Sequence, residues 1–222
     1  MNYDVIIIGA GPGGIYSAYE LTQRCPEKKV AVIEAGHALS RRHCPIDGEK
    51  VKTCIGCKTC SIMSGFGGAG AFSDGKYNIT NDFGGTLFEY IGKRQALELM
   101  RYVDEINMRY GGAGTKLYTT AGTQFKKACI QHDLHLLDAS VRHLGTDINY
   151  VVLENLYTYL QDKVDFHFDT PVRSIHQVGD GYEVCCDGAS YTCNQCVVSV
   201  GRSGSKWMQA VCKKMHIPTK SN

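Results

Sequence analysis

The chain has 222 residues, of which 43% are hydrophobic, and a formal net charge of +2. That length suits one large domain or a domain with a modest insertion. The near-neutral balance argues against a nucleic-acid partner, and no run is long and apolar enough to span a membrane.

In chain order, Tyr3–Ile8 is continuous and rich in β-branched residues, the pattern of a buried parallel strand. A Gly-rich turn, Gly9–Gly14, follows. Residues 13–24 read as a helix with Ile15, Ala18, Tyr19 and Leu21 on one face, ended by Pro26. Val30–Ile33 is a second strand, ending at Glu34. Residues 36–80 are loop-like and rich in Gly and Cys, and so long an irregular stretch is usually functional. Helices are expected over 93–110, 123–132 and 150–162. Short β segments follow at Val164–Phe168, Val172–Val178, Tyr182–Cys186 and Tyr191–Cys193. Cys196–Val200 is a further strand ending at Gly201, and Lys206–Met215 is a terminal helix.

Gly9-Ala-Gly11-Pro-Gly13-Gly14 fits GxGxxG. Alone that pattern is weak. Here it follows a strand, opens a helix and has Glu34 at the end of the next strand, the full context of a dinucleotide-binding βαβ unit. Gly9 permits the tight turn, Gly11 the approach of a pyrophosphate, and Gly14 close helix–strand packing. The helix N-terminus offers amides to phosphates, and Glu34 can accept from ribose hydroxyls. The apolar strand ending at Gly201, after a small β meander, favours FAD over NAD by fold-level analogy.

Cys54, Cys57 and Cys60 are spaced CxxCxxC, with Cys44-Pro45 upstream. The spacing admits a [4Fe–4S] cluster, zinc, a redox dithiol or plain structural thiols. Eleven cysteines without a secretory leader read as reduced thiols in a cytoplasmic protein. Arg142 and His143, in a polar segment between two helices, are candidate substrate residues: a bidentate anion binder and a general acid or base. Arg41 and Arg42 are candidates for adenosine phosphate or ribose.

These runs, above all Gly65-Phe-Gly-Gly-Ala-Gly-Ala-Phe-Ser-Asp-Gly-Lys76, together with Arg142–Asp147 and Gly201–Trp207, resemble the family of uncharacterised FAD-dependent dehydrogenases, also described as NAD(P)/FAD-dependent oxidoreductases. The resemblance implies that Gly67, Gly68, Ala69 and Gly70 line the flavin, with Ser73 and Asp74 near its polar edge. It implies an α/β fold: a Rossmann-like FAD-binding domain with a parallel sheet and small β meander (1–80 and 164–222), holding a mainly helical insertion (81–163). Members of that family are considerably longer, so the chain is expected to be truncated relative to them. The expected activity is transfer of a hydride or electron pair between a small organic substrate and flavin, with NAD(P) as a possible electron partner. The alternatives are a non-catalytic flavin-binding fragment or partner subunit, and an iron–sulfur/flavin electron-transfer module.

Overall fold

A computed structural model describes residues 1–219. The chain divides into two compact units, one built from Met1–Ala71 and from Leu156 onward, the other from Phe72–Asn155.

The first unit holds a six-stranded sheet. Its strands are β1 (Asn2–Ile8), β2 (Val30–Ile33), β6 (Asp165–His167), β7 (Val172–Val178), β8 (Gly181–Cys186) and β9 (Ala189–Val198), in the order β6-β2-β1-β9-β8-β7. The first four in that order are parallel, and β8 and β7 extend the sheet antiparallel. The fold is therefore the expected α/β class with a parallel core and a β meander. Helix α1 (Pro12–Arg24) connects β1 to β2 and buries Gly14, Ile15, Ala18 and Tyr19. All four β2 residues are buried, as a strand between two neighbours requires. Tyr3, Ile6, Ile8, Ala31, Ile33, Ile175, Val184 and Cys193 form one cluster, against which Trp207 and Met215 pack from and just beyond α6 (Ser205–Lys214).

Two β segments expected around 191–200 are one ten-residue strand, β9. Exposed Asn194 and Gln195 interrupt the apolar pattern but not the ladder, because the backbone still pairs Gln195 with Val5. Residues 192–198 of β9 pair with β1, while 189–193 pair with β8. One strand thus joins the parallel core to the meander.

The second unit carries helices α2 (Leu87–Ile91), α3 (Lys93–Asn107) and α4 (Phe125–Gln131) and most of α5 (Gly145–Leu160). It also holds a three-stranded antiparallel sheet, β3 (Lys76–Ile79), β5 (Ser140–His143) and β4 (Leu117–Thr119), with β5 central. The helical reading of this region missed the sheet. Its strands have three or four residues and pair across gaps of some 20 to 60 residues, too little local pattern to read. The α5 helix also starts earlier than periodicity suggested, with Asp147 in its first turn.

At the edge of the large sheet, the Tyr3 hydroxyl meets His167 Nε2 at 3.0 Å. Burial, then Asp165, pushes the Tyr3 pKa up to about 12, and burial holds the His167 imidazole below its usual value. A depressed histidine favours the neutral ring in the fold, so the unfolded chain takes the proton first as pH falls. The contribution of His167 is present above the ordinary histidine pKa of about 6.5 and is lost as pH drops below it. Urea denaturation at stepped pH should therefore show stability falling from about pH 6.5 toward 5. A His167→Gln variant should show a shallower slope there; an unchanged slope would remove His167 as the cause.

Candidate cofactor site

The turn after β1 separates its glycines by task. Gly9 has φ +101°, and a Cβ there would lie 2.6 Å from the Ser199 carbonyl oxygen. A Cβ on Gly14 would lie 1.9 Å from the Gly9 oxygen, so α1 can pack this close only without a side chain. Gly13 is tight against Ser199 Cβ, at 3.3 Å. Gly11 differs. Its φ of −74° suits any residue, and the nearest atom to an added Cβ is Gly68 Cα at 3.9 Å. The fold itself therefore does not require glycine at 11. No side chain caps α1, and Pro12 stands in its first turn, so the amides of Gly13 and Gly14 are presented without a side-chain partner.

Glu34 follows β2 and is 7% exposed. Its Oε2 accepts from the Ala10 amide at 2.8 Å, and its Oε1 accepts from Gly36 at 2.8 Å and Gly65 at 2.9 Å. One carboxylate thus ties together the phosphate turn, the exit of β2 and the Gly-rich loop. A carboxylate has about four acceptor positions, so one remains for a ribose hydroxyl.

Arg42, expected to touch the cofactor, turns inward. It is 5% exposed, and its guanidinium donates to four carbonyls of one loop: Ser61 (2.8 Å), Ile62 (2.8 Å), Phe66 (2.7 Å) and Gly68 (2.8 Å). Burial lowers its pKa, opposed by the charges of Glu34 and Cys60. Arg41 instead reaches outward to Asp169.

The Gly-rich loop lies against the turn. The Gly67 amide donates to the Ala10 carbonyl at 2.8 Å, and a Cβ on Gly68 would come within 3.0 Å of Gly11 Cα. Its anchor is Phe66, fully buried, with ring centroids 5.0 Å from Tyr157 and 5.8 Å from Phe166. Ala69 is exposed and Gly70 half-buried, at the tip nearest Pro12. Gly201 takes φ +63° just beyond β9, with open space around it.

A cavity of about 240 Å³ opens beside the end of β2, lined by Ala35, His37, Lys58, Asp169, Thr170 and Pro171. Thr170 and Asp169 donate backbone bonds to Glu34 and Gly36, which fixes this segment beside the Glu34 carboxylate. Sequence reasoning missed Ser199, Asp169 and Thr170. Nothing local marks them, and only the strand order brings them to the turn.

The remaining candidates are dispersed. Cys54, Cys57 and Cys60 are exposed and Cys44 is half-buried. Among the described residues, no three His, Cys, Asp or Glu side chains are grouped to hold a metal. Ser73 and Asp74 belong to the second unit, where both are exposed and Asp74 pairs with Lys76 at 2.6 Å. Lys76 holds the Asp74 carboxyl below its usual range. Arg142 and His143 stand on β5, not in a loop. Arg142 is engaged bidentately by Asp104 (2.7 and 3.0 Å) and by the Thr115 carbonyl, while His143 is exposed.

Residues 7–54 match the model of an NAD(P)-binding Rossmann-like domain. Residues 90–218, more than half of the chain, match the flavin-containing amine oxidoreductase family. The chain belongs to that family. No curated protein matches it by sequence. Among solved structures, glycine oxidase from Geobacillus kaustophilus shares the fold with a TM-score of 0.52 at 14% identity, over 97% of this chain and 58% of that one. NikD, an unusual amino acid oxidase of nikkomycin biosynthesis, gives a TM-score of 0.51 at 12% identity, over 96% of this chain and 54% of that one. The chain therefore spans little more than half the length of either.

A flavin carried on a dinucleotide-binding unit is FAD, and the residues fit it. Gly11 carries no side chain over the turn, the first-turn amides of α1 have no side-chain cap, and Glu34 keeps an acceptor position.

The glycines make a sharp contrast testable. Gly11→Ala should leave the apo-protein within about 1 kcal/mol of wild type, while FAD affinity falls at least about tenfold. Gly14→Ala should destabilise the fold by about 3 kcal/mol or more. Denaturant melts with fluorescence titration of FAD check both; a Gly11→Ala protein that binds FAD normally would refute the assignment of the approach.

Proposed function

We propose that the chain is the dinucleotide-binding portion of an FAD-dependent oxidoreductase acting on a small amine or amino acid. The observation that carries this reading is the match of residues 90–218 to the flavin-containing amine oxidoreductases. The open cradle above Gly11 supports it. When bound, the flavin supplies the acceptor for a hydride or electron pair from the substrate.

The protein's own residues bind and orient. The Gly13 and Gly14 amides take the pyrophosphate, with the positive end of α1 behind them. Glu34 accepts a ribose hydroxyl, and the neighbouring cavity takes the adenine. Gly67–Gly70 offer backbone to the ring system, and Gly201 leaves room beside the turn. On the substrate side His143 is the open candidate, since Arg142 is held by Asp104. The iron–sulfur reading gains no support from Cys44, Cys54, Cys57 and Cys60, three of which are exposed. A reducing compartment, the cytoplasm, fits a chain of this length with eleven cysteines. No helix among the described residues is long and apolar enough to cross a membrane.

The purified protein, loaded with FAD if necessary, should show absorption bands near roughly 370 and 450 nm. Under anaerobic conditions the longer-wavelength band should bleach with one or more members of a panel of amines and amino acids. Protein that takes up no FAD would overturn the cofactor. Bleaching by NAD(P)H or a hydroxy acid, with no response to any amine, would overturn the substrate class.

A further inference from the structure

We infer that Arg42 is a positioning residue: it sets the 61–68 backbone against the phosphate turn and does not itself contact the cofactor. Its fork reaches four carbonyls within an eight-residue loop, at 2.7 to 2.8 Å, and the side chain is almost wholly buried. Two of those carbonyls, Phe66 and Gly68, flank Gly67, whose amide is docked on Ala10. Glu34 holds the same loop from the other side through Gly65. The loop has no strand partners, so the guanidinium replaces a ladder. An arginine has five donors in a planar fork, whereas a lysine has three on a point charge and cannot span the four acceptors.

This deepens the cofactor reading and rests on it only for the affinity readout. The latch itself is visible in the apo-protein. Hydrogen exchange at the Gly65 and Gly67 amides should quicken at least about tenfold in Arg42→Lys and Arg42→Ala. FAD affinity should fall by a similar factor. Millimolar guanidinium should restore both in Arg42→Ala, and Arg24→Ala, which removes a surface guanidinium, should change neither. Where Arg42→Ala fails to fold, Arg42→Lys carries the test.

Wild-type exchange in Arg42→Lys would overturn the latch. Faster exchange with unaltered FAD affinity would reduce Arg42 to a structural role and overturn its positioning role. Faster exchange in a protein whose wild type binds no FAD would uphold the latch and sink the cofactor reading instead.

Discussion

A buried carboxylate and a buried guanidinium organise the first unit. Glu34 accepts three backbone amides and Arg42 supplies donors to four backbone carbonyls. Segment 36–72 contains only short 3₁₀ turns, so its buried peptide groups have few partners of their own kind. A buried polar group left without a partner costs about 1–3 kcal/mol. Two side chains satisfy six peptide groups of this segment, and Glu34 holds the Ala10 amide as well. The Glu34 carboxylate also lies near enough to offset part of the desolvation of Arg42. Removing either would strand the other as well as the loop.

The same arrangement explains how glycine is used. Gly9 and Gly14 are fixed by contacts inside the fold, with the Ser199 carbonyl and with each other. Gly68 is fixed by the approach of one backbone to another at Gly11. Gly11 alone has an ordinary backbone conformation and free space above it. Three of these glycines allow the protein to close on itself, and the fold places no such demand on the fourth.

What the sequence disclosed follows this division. The βαβ unit was legible because its signals are local: a β-branched strand, a Gly-rich turn, an amphipathic helix, and Glu34 at the expected distance. Glu34 was legible as the acidic residue closing the second strand of the unit, but not as the tie for Ala10, Gly36 and Gly65, since those bonds depend on where residue 65 returns. Arg42 was legible as a basic residue near the turn, but not as the donor to four carbonyls of its own loop. A basic residue near a phosphate site reads as an anion contact, and nothing in its neighbours signals that it points into its own loop. Arg142 repeats the case in the second unit: Asp104, its partner, is 38 residues away on α3.

The first-unit site is discontinuous for a reason that lies in the sheet. Residues 9–14, 34–37, 167–171 and 199–201 come from widely separated parts of the chain. They meet because β1, β2, β6 and β9 run parallel, so all four release their chains at one edge. The pairing of Ile8 with Val198 puts Ser199 beside Gly9, and that of Ile33 with His167 brings Asp169 and Thr170 beside Glu34. A one-residue slip in either pairing would exchange the side chains between the two faces of the sheet, each packed against different neighbours. The register that fills the core is therefore the register that assembles the site, and the two cannot be varied independently.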